Sequence, residues 1–384
     1  MIEQKRLGDI ATYINGFAFK PEDRGTVGLP IIRIQDLTGN AYDLGFYAGN
    51  YPERIEINDG DVLISWSASL GVYVWDKGKA LLNQHIFKVV FDKCEVNREY
   101  FVYAVRYKLK EMESKTHGAT MKHIVKKDFD NTLIPFPTLE EQKNIANLLD
   151  KISTIILVRQ QQLQKLDELV KARFVELFGD PFINPMRWKK LKIKDAVTVE
   201  PQNGLYKPQS DYVTDGHGIP ILRIDGFYDG KVTDSTSLRR LVCESAEKQR
   251  YCLNEDDIVI NRVNSIEYLG KCAHITGLSE ETVYESNMMR MHFDPERFNP
   301  VYITRLLCNR FIYDQIINHA KKAVNQASIN QKDVLDFDIY QPPLQTQNQF
   351  AAFIEQVNKS KVAVQKSLDE AQLLFDSLMQ QYFG

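Results

Sequence analysis

The stretch "GLPIIRI" occupies residues 28–34, and "GIPILRI" occupies residues 218–224, 190 positions later (28 to 218). Glycine, proline, a short branched apolar run and one arginine form a specific order that chance rarely writes twice, so an internal repeat decides how the rest of the chain is read. Other phrases follow in the same sequence. "NDGDVLIS" (58–65) answers to "NEDDIVIN" (254–261), and "KKDFDNTLIPFPTLEEQKNIA" (126–146) answers to "QKDVLDFDIYQPPLQTQNQFA" (331–351). The offset settles at 205, pairing Pro137 with Pro342, Gln142 with Gln347, and Phe178-Gly179 with Phe383-Gly384. A drift from 190 to 205 places insertions in the middle of each copy. The two copies share a frame and differ in their loops, the pattern of a duplicated scaffold whose loops do different work.

Each copy opens on a short helix or turn, "RLGDIATYINGFAFKP" or "LKIKDAVTVEPQNGLYKP", and continues in short Ile-, Val-, Leu- and Tyr-rich runs bounded by Gly, Asp and Asn. These runs predict strands at 30–34, 62–65, 73–75 and 85–91, and again at 220–224, 258–261 and 289–293. A helical stretch closes each copy, "REYFVYAVRYKLKEMESK" and "NPVYITRLLCNRFIYDQIINHA". Each copy is therefore expected to be a mixed α/β globule.

Beyond each globule the apolar period changes from 2 to 3.5. No proline or glycine interrupts 138–178, with Thr138 as the expected cap, and one face reads Ile145, Leu149, Ile152, Ile156, Arg159, Leu163, Leu166, Val170, Arg173, Leu177. At an offset of 205 the second copy reads Phe350, Ile354, Val357, Lys361, Val364, Leu368, Ala371, Phe375, Leu378, Tyr382. A helix of this length extends about 60 Å, too long for one small globule. The simplest arrangement pairs the two helices antiparallel about a pseudo-two-fold axis. Ile145, Leu149, Ile152, Leu163, Leu166 and Val170 are the candidates for helix pairing and partner docking in the first helix. Phe350, Ile354, Val357, Leu368 and Phe375 are those of the second.

Composition narrows the function. With 384 residues, 43% apolar and 11% aromatic, the chain has material for two or three real cores. Its apolar runs are shorter than a membrane span and "MIEQKRLGDI" has no apolar segment after its basic residues, so a cytoplasmic location, with no membrane, is expected. Five cysteines without a C-x-x-C pair and seven unclustered histidines argue for reduced thiols, no metal and no cofactor. The net charge of −3 is not that of a uniformly basic nucleic-acid binder. Locally the picture differs, because "KTHGATMKHIVKK" (115–127) and its counterpart "NHAKKAVNQASINQK" (318–332) contain no acid at all. There is no G-x-x-x-x-G-K-[ST] phosphate loop. "QPPL" (341–344) has neither the Asn or Asp nor the aromatic residue of an amino-methyltransferase motif.

The run "IPFPTLEEQKNIANLLDKI" (134–152), followed by "LVKARFVELFGDPFINPMRW" (169–188), resembles the central region of specificity subunits of type I restriction-modification systems. "QPPLQTQNQFAAFIEQV" (341–357) repeats the first phrase in degraded form. The resemblance spans the whole chain. It implies two mixed α/β target recognition domains joined by two long antiparallel coiled-coil helices. The expected limits are 1–137 for the first recognition domain, 138–179 for the central helix, 180–342 for the second domain with a linker at 180–189, and 343–384 for the last helix. It further implies a non-catalytic subunit that binds a bipartite double-stranded DNA target and docks two methyltransferase (M) subunits and the restriction (R) subunits.

In the first copy the DNA-binding candidates are Lys20 in the "GFAFK" turn, Arg33 and Gln35 after the repeated phrase, Ser65, Ser67, Lys115 and Lys122. In the second they are Lys207, Arg223, Asn261, Arg262 and Asn264, then Lys321, Lys322, Asn325 and Gln326. Lysines on acid-free loops suit phosphate, whereas Arg, Asn, Gln and Ser can reach base edges. Residues shared by both copies, such as Arg33 and Arg223, suit scaffold or phosphate, since two different half-sites must be read where the copies disagree. The competing reading is a coiled-coil adaptor with two protein-binding globules.

Overall fold

The computed structural model describes residues 3–40, 43–115, 124–214, 216–233 and 235–384. Two helices of 40 residues, Leu139–Phe178 and Leu344–Phe383, organise it. The first starts at a capping box in which Thr138 N donates to Glu141 Oε2 (2.9 Å) and Glu141 N to Thr138 Oγ1 (3.4 Å), and it stops at Gly179, whose φ is +79°.

The chain divides into two compact units, Met1–Gln162 with Val364–Gly384, and Leu163–Ala363. The division falls inside both helices, so each unit holds the first half of one and the second half of the other. In the first unit Leu149 shares a core with Met379 and Phe383. The second unit repeats this with Val170, Phe174 and Phe178 against Phe350, Ile354 and Val357. In both, the early part of one helix lies against the late part of the other, which is the antiparallel arrangement.

The first unit contains an antiparallel sheet in the order Thr12–Asn15, Ile86–Val90, Val62–Ser65, Gly71–Val74, and a mixed sheet in the order Gly45–Tyr47, Leu29–Ile32, Ala80–Leu82, Glu56–Ile57. Val62–Ser65 is buried throughout, with Val62 and Ile64 facing the helix Arg98–Lys115 and Leu63 facing the mixed sheet's core. The second unit enlarges the plan. Its main sheet has six strands, ordered Val197–Asn203, Met288–Phe293, Ile258–Asn261, Cys272–His274, Gly230–Val232, Phe227–Tyr228. Beside it lies a sheet ordered Tyr212–Val213, Arg239–Leu241, Ile219–Leu222, Val283–Tyr284.

The repeated seven-residue phrase now has a physical explanation. Leu29–Ile32 runs parallel to Ala80–Leu82 and antiparallel to Gly45–Tyr47; Ile219–Leu222 likewise runs parallel to Val283–Tyr284 and antiparallel to Arg239–Leu241. The leading glycines have φ of +111° (Gly28) and +79° (Gly218), and a Cβ there would lie 2.1 Å from Tyr47 O or 2.3 Å from Leu241 O. Only glycine fits both the backbone and the space. The arginine ends the strand in each copy and holds a carboxylate, Arg33 Nε to Asp36 Oδ2 at 3.2 Å and Arg223 Nε to Glu285 Oε2 at 3.7 Å.

Some expected boundaries move. The predicted strand 30–34 ends at Ile32, because Arg33 N donates to Asp36 Oδ2 (2.8 Å) and opens the short helix Ile34–Thr38. The predicted strand 73–75 is Gly71–Val74. The single helical stretch expected near 299–320 is two helices, Pro300–Leu307 and Arg310–His319, since Asn309 accepts from Phe311 N (2.9 Å) and caps the second.

Candidate nucleic-acid interface

Each unit has a crossing point where its central buried strand ends. In the first, Trp66 N donates to His85 O (3.2 Å) and Trp66 O accepts from Ile124 N (2.9 Å). In the second, Arg262 N donates to Asn287 O (2.8 Å) and Arg262 O accepts from Ile329 N (3.0 Å). The backbone is the same and the side chain is not. Trp66 stacks on Phe87, ring centroids 5.7 Å apart, whereas the Arg262 guanidinium donates to Ser286 O at 3.2 Å. The two units thus share a frame at this point and differ in the side chain it carries.

The second unit adds a three-stranded ribbon. Val263–Asn264 pairs with Ala327–Ser328, which pairs in turn with Lys321–Lys322, all antiparallel. Residues 264 and 322 thus flank Ala327 from either side, although they are far apart in sequence. Arg262, Asn264, Lys321, Lys322, Asn325 and Gln326 are thereby gathered on one ribbon and the strand end feeding it. Lys321 through Gln326 are all exposed, and neither lysine has a carboxylate partner among the described residues.

Other candidates sit differently. Ser65 is fully buried and donates to Ser69 O (2.6 Å), and Ser67 is 7% exposed. Asn261 is also fully buried, with neither amide atom hydrogen-bonded among the described residues. Lys207 is tied to Glu247 (2.8 Å) and Asp211 (3.6 Å), and the Glu247 hydrogen bond raises its pKa. Arg33 is held by Asp36 and by Asp43 at 3.5 Å, while Arg223 lies 5.6 Å over the Tyr212 ring. Burial holds the Glu285 carboxyl above its ordinary range, and Ile224 N–H and Arg223 draw it back. Lys20 and Gln35 are exposed on the first unit. The glycine of the "GFAFK" turn is structural, because a Cβ on Gly16 would lie 2.0 Å from Asn83 O. Lys115 ends the helix Arg98–Lys115, and its side chain and all of Lys122 lie outside the described residues.

Among the described residues no group of three or more His, Cys, Asp or Glu is placed to hold a metal, and no helix is long and apolar enough to cross a membrane.

The family model described as "Type I restriction modification DNA specificity domain" matches this chain twice, over residues 2–168 and 185–371. The chain belongs to that family. It is 23% identical to the Escherichia coli EcoBI specificity subunit, over 97% of this chain and 83% of the relative, and 25% identical to the EcoKI specificity subunit of E. coli K12, over 97% and 86%. Its fold is shared with the type I S subunit from M. genitalium, at TM-score 0.60 and 14% identity over 100% and 96% of the two chains. A chain from a study of complex assembly and conformational transition in a type I system aligns at TM-score 0.61 and 16% identity, over 99% and 97%.

In this specificity subunit the repeated glutamine of the central motif is a clasp. Gln142 accepts from Asn97 N (2.9 Å) and donates to Pro137 O (2.9 Å); Gln347 accepts from Asn299 N (2.8 Å) and donates to Pro342 O (2.8 Å). Both glutamines are buried, and each ties a long helix to its recognition domain. The repeat offset marked these two positions in the sequence but not their role. Trp66 was legible too, since superposing "VLIS" on "IVIN" sets it against Arg262. Of the helix candidates, Leu149, Ile152, Val170, Phe350, Ile354 and Val357 are buried. Ile145, Leu166 and Phe375 pack against those cores, and Leu163 and Leu368 are half-buried.

Proposed function

We propose that the two recognition domains each read one half of a bipartite double-stranded DNA target, in the cytosol, and that the paired helices fix the unread spacer and dock methyltransferase subunits. The domain limits that go with this reading are 1–137, 138–179, 180–342 and 343–384. Two methyltransferase subunits match the pseudo-two-fold repeat, with restriction subunits joining them. The chain transfers no methyl group and cuts nothing alone. The observation that carries the reading is the pair Trp66 and Arg262, one frame position filled by unlike side chains. Phosphate contacts fall to Lys321 and Lys322, and in the first domain to Lys20, Lys115 and Lys122. Arg262, Asn264, Asn325, Gln326 and Gln35 are the candidates for base contacts. Arg33, Arg223 and Lys207 position loops through their carboxylate partners, Ser65 supports its strand end from inside through Ser69 O, and Ser67 and Asn261 are buried beside theirs. Methylation mapping of DNA from cells carrying this chain with its methyltransferase should return an interrupted, asymmetric motif. A continuous or single-part motif would overturn the proposal.

A further inference from the structure

The ribbon of the second domain has a tip whose chemistry can be read further, on the basis of the DNA reading above. Lys321 pairs with Ser328 and Lys322 with Ala327, and Ala323 N donates to Gln326 O (2.7 Å), leaving Val324 and Asn325 at the apex. Val324 is 99% exposed. The side-chain amides of Asn325 and Gln326 make no hydrogen bond within the described residues.

Geometry chooses the groove. Two paired strands stand about 4.8 Å apart before side chains are added, which a minor groove about 6 Å wide does not admit and a major groove about 12 Å wide does. From Lys321 to the apex the ribbon advances roughly 10 Å at 3.3 Å per residue, against a major-groove depth of about 8.5 Å. The apex can therefore reach base edges while the lysines stay level with the phosphates. Glu267 lines the hollow beneath the tip together with Ser265, Ile266 and Lys322, so an acid and a base face one another below the apex.

Chemistry chooses the base. A carboxamide offers one donor and one acceptor side by side, the complement of adenine N6 and N7. Guanine presents two acceptors there and calls for Arg or Lys, and cytosine presents a donor and calls for a carboxylate; the apex has neither. An apolar side chain exposed at the tip suits the thymine methyl. We infer that this ribbon enters the major groove of one half-site, with Asn325 and Gln326 reading adenine and Val324 lying against a thymine methyl.

The test uses the assembled methyltransferase complex with the full-length chain, carrying Asn325→Ala and Gln326→Ala, or the nearly isosteric Asn325→Asp. Mapping of methylated sites should show one half-site becoming degenerate at one or two A·T pairs while the other half stays unchanged. Affinity for the natural site should fall about tenfold to hundredfold, and binding to unrelated duplex should hold. With the wild-type complex, replacing the affected adenine by 7-deazaadenine, or the neighbouring thymine by uracil, should reproduce part of that loss. An unchanged motif with target binding intact overturns the inference and leaves the DNA reading standing. Degeneracy confined to G·C pairs also overturns it. A wild-type complex that binds all duplexes alike overturns both.

Discussion

The guanidinium of Arg173 lies 5.8 Å from the ring centroid of Phe353. Arg173 occupies a heptad seam position whose counterpart in the other repeat is Leu378, so an apolar residue is expected there. The conflict is eased locally, because the cation rests on the ring and Nη1 reaches Glu176 at 2.8 Å.

Two substitutions separate these contributions. Arg173→Leu restores the seam and should leave stability within about 1 kcal/mol of the natural chain, whereas Arg173→Glu sets a carboxylate over the ring and beside Glu176 and should cost about 1–2 kcal/mol. Guanidinium unfolding midpoints of the full chain measure the difference. Equal midpoints for the two variants would refute the cation–ring account.

The helix ends should control the recognition domains at a distance in sequence. Phe178 lies 4.5 Å from Tyr302 between ring centroids, and Phe383 lies 5.2 Å from Tyr100. Phe178→Ala should therefore loosen residues of the second domain, and Phe383→Ala those of the first, each by about 3–5 kcal/mol. Hydrogen exchange resolved by peptide is the measurement. Loosening confined to the helix that carries the substitution would contradict the packing.

Lys321 and Lys322 are expected to act on phosphate alone. Replacing both by alanine should weaken binding of the assembled complex to all duplexes alike and reduce the magnitude of the salt slope by about 1–2. A loss restricted to one sequence would reassign them to bases.

Lys231 gives a pH signature. The residue is exposed, yet partial desolvation of its ammonium lowers its pKa, helped by the nearby charges of Lys361 and Arg305, while its Nζ donates to Asn358 Oδ1 at 2.5 Å. In the window below the ordinary lysine value of 10.5, the folded chain binds fewer protons than the unfolded chain, so stability rises with pH there. Lys231→Met lacks that slope. Its stability relative to the natural chain should therefore fall as pH rises towards 10.5, as read from denaturation midpoints across the range. A constant difference between the two proteins would show that desolvation of the ammonium is not the cause.

The parts of this fold that could be read from sequence are those set by local pattern. The two long helices follow from a 3.5-residue period without proline or glycine, and Val62–Ser65 and Ile258–Asn261 follow from branched apolar runs. What escaped depends on contacts between distant residues. Asn264 and Lys322 look unrelated until Ala327 brings them onto one ribbon. Ser65 and Asn261 look like accessible polar residues at strand ends, yet both are fully buried. Sequence also does not reveal that each helix is divided between the two units, because a heptad fixes which face is apolar and not what covers it.

That divided arrangement bears on how new target preferences arise in such proteins. The second globule rests on a small fixed seat, in which Tyr302 bonds Tyr340 O (3.0 Å) and meets Phe174 and Phe178, and the backbone of Asn299 meets Gln347. The first repeats it with Tyr100 bonded to Pro135 O (2.8 Å) under Phe383. A foreign globule that presents one such tyrosine and one such backbone amide already satisfies the seat, whatever its reading loops contain. Recombination within the two flanking helices can thus graft an intact globule from another lineage, leaving the seat itself untouched.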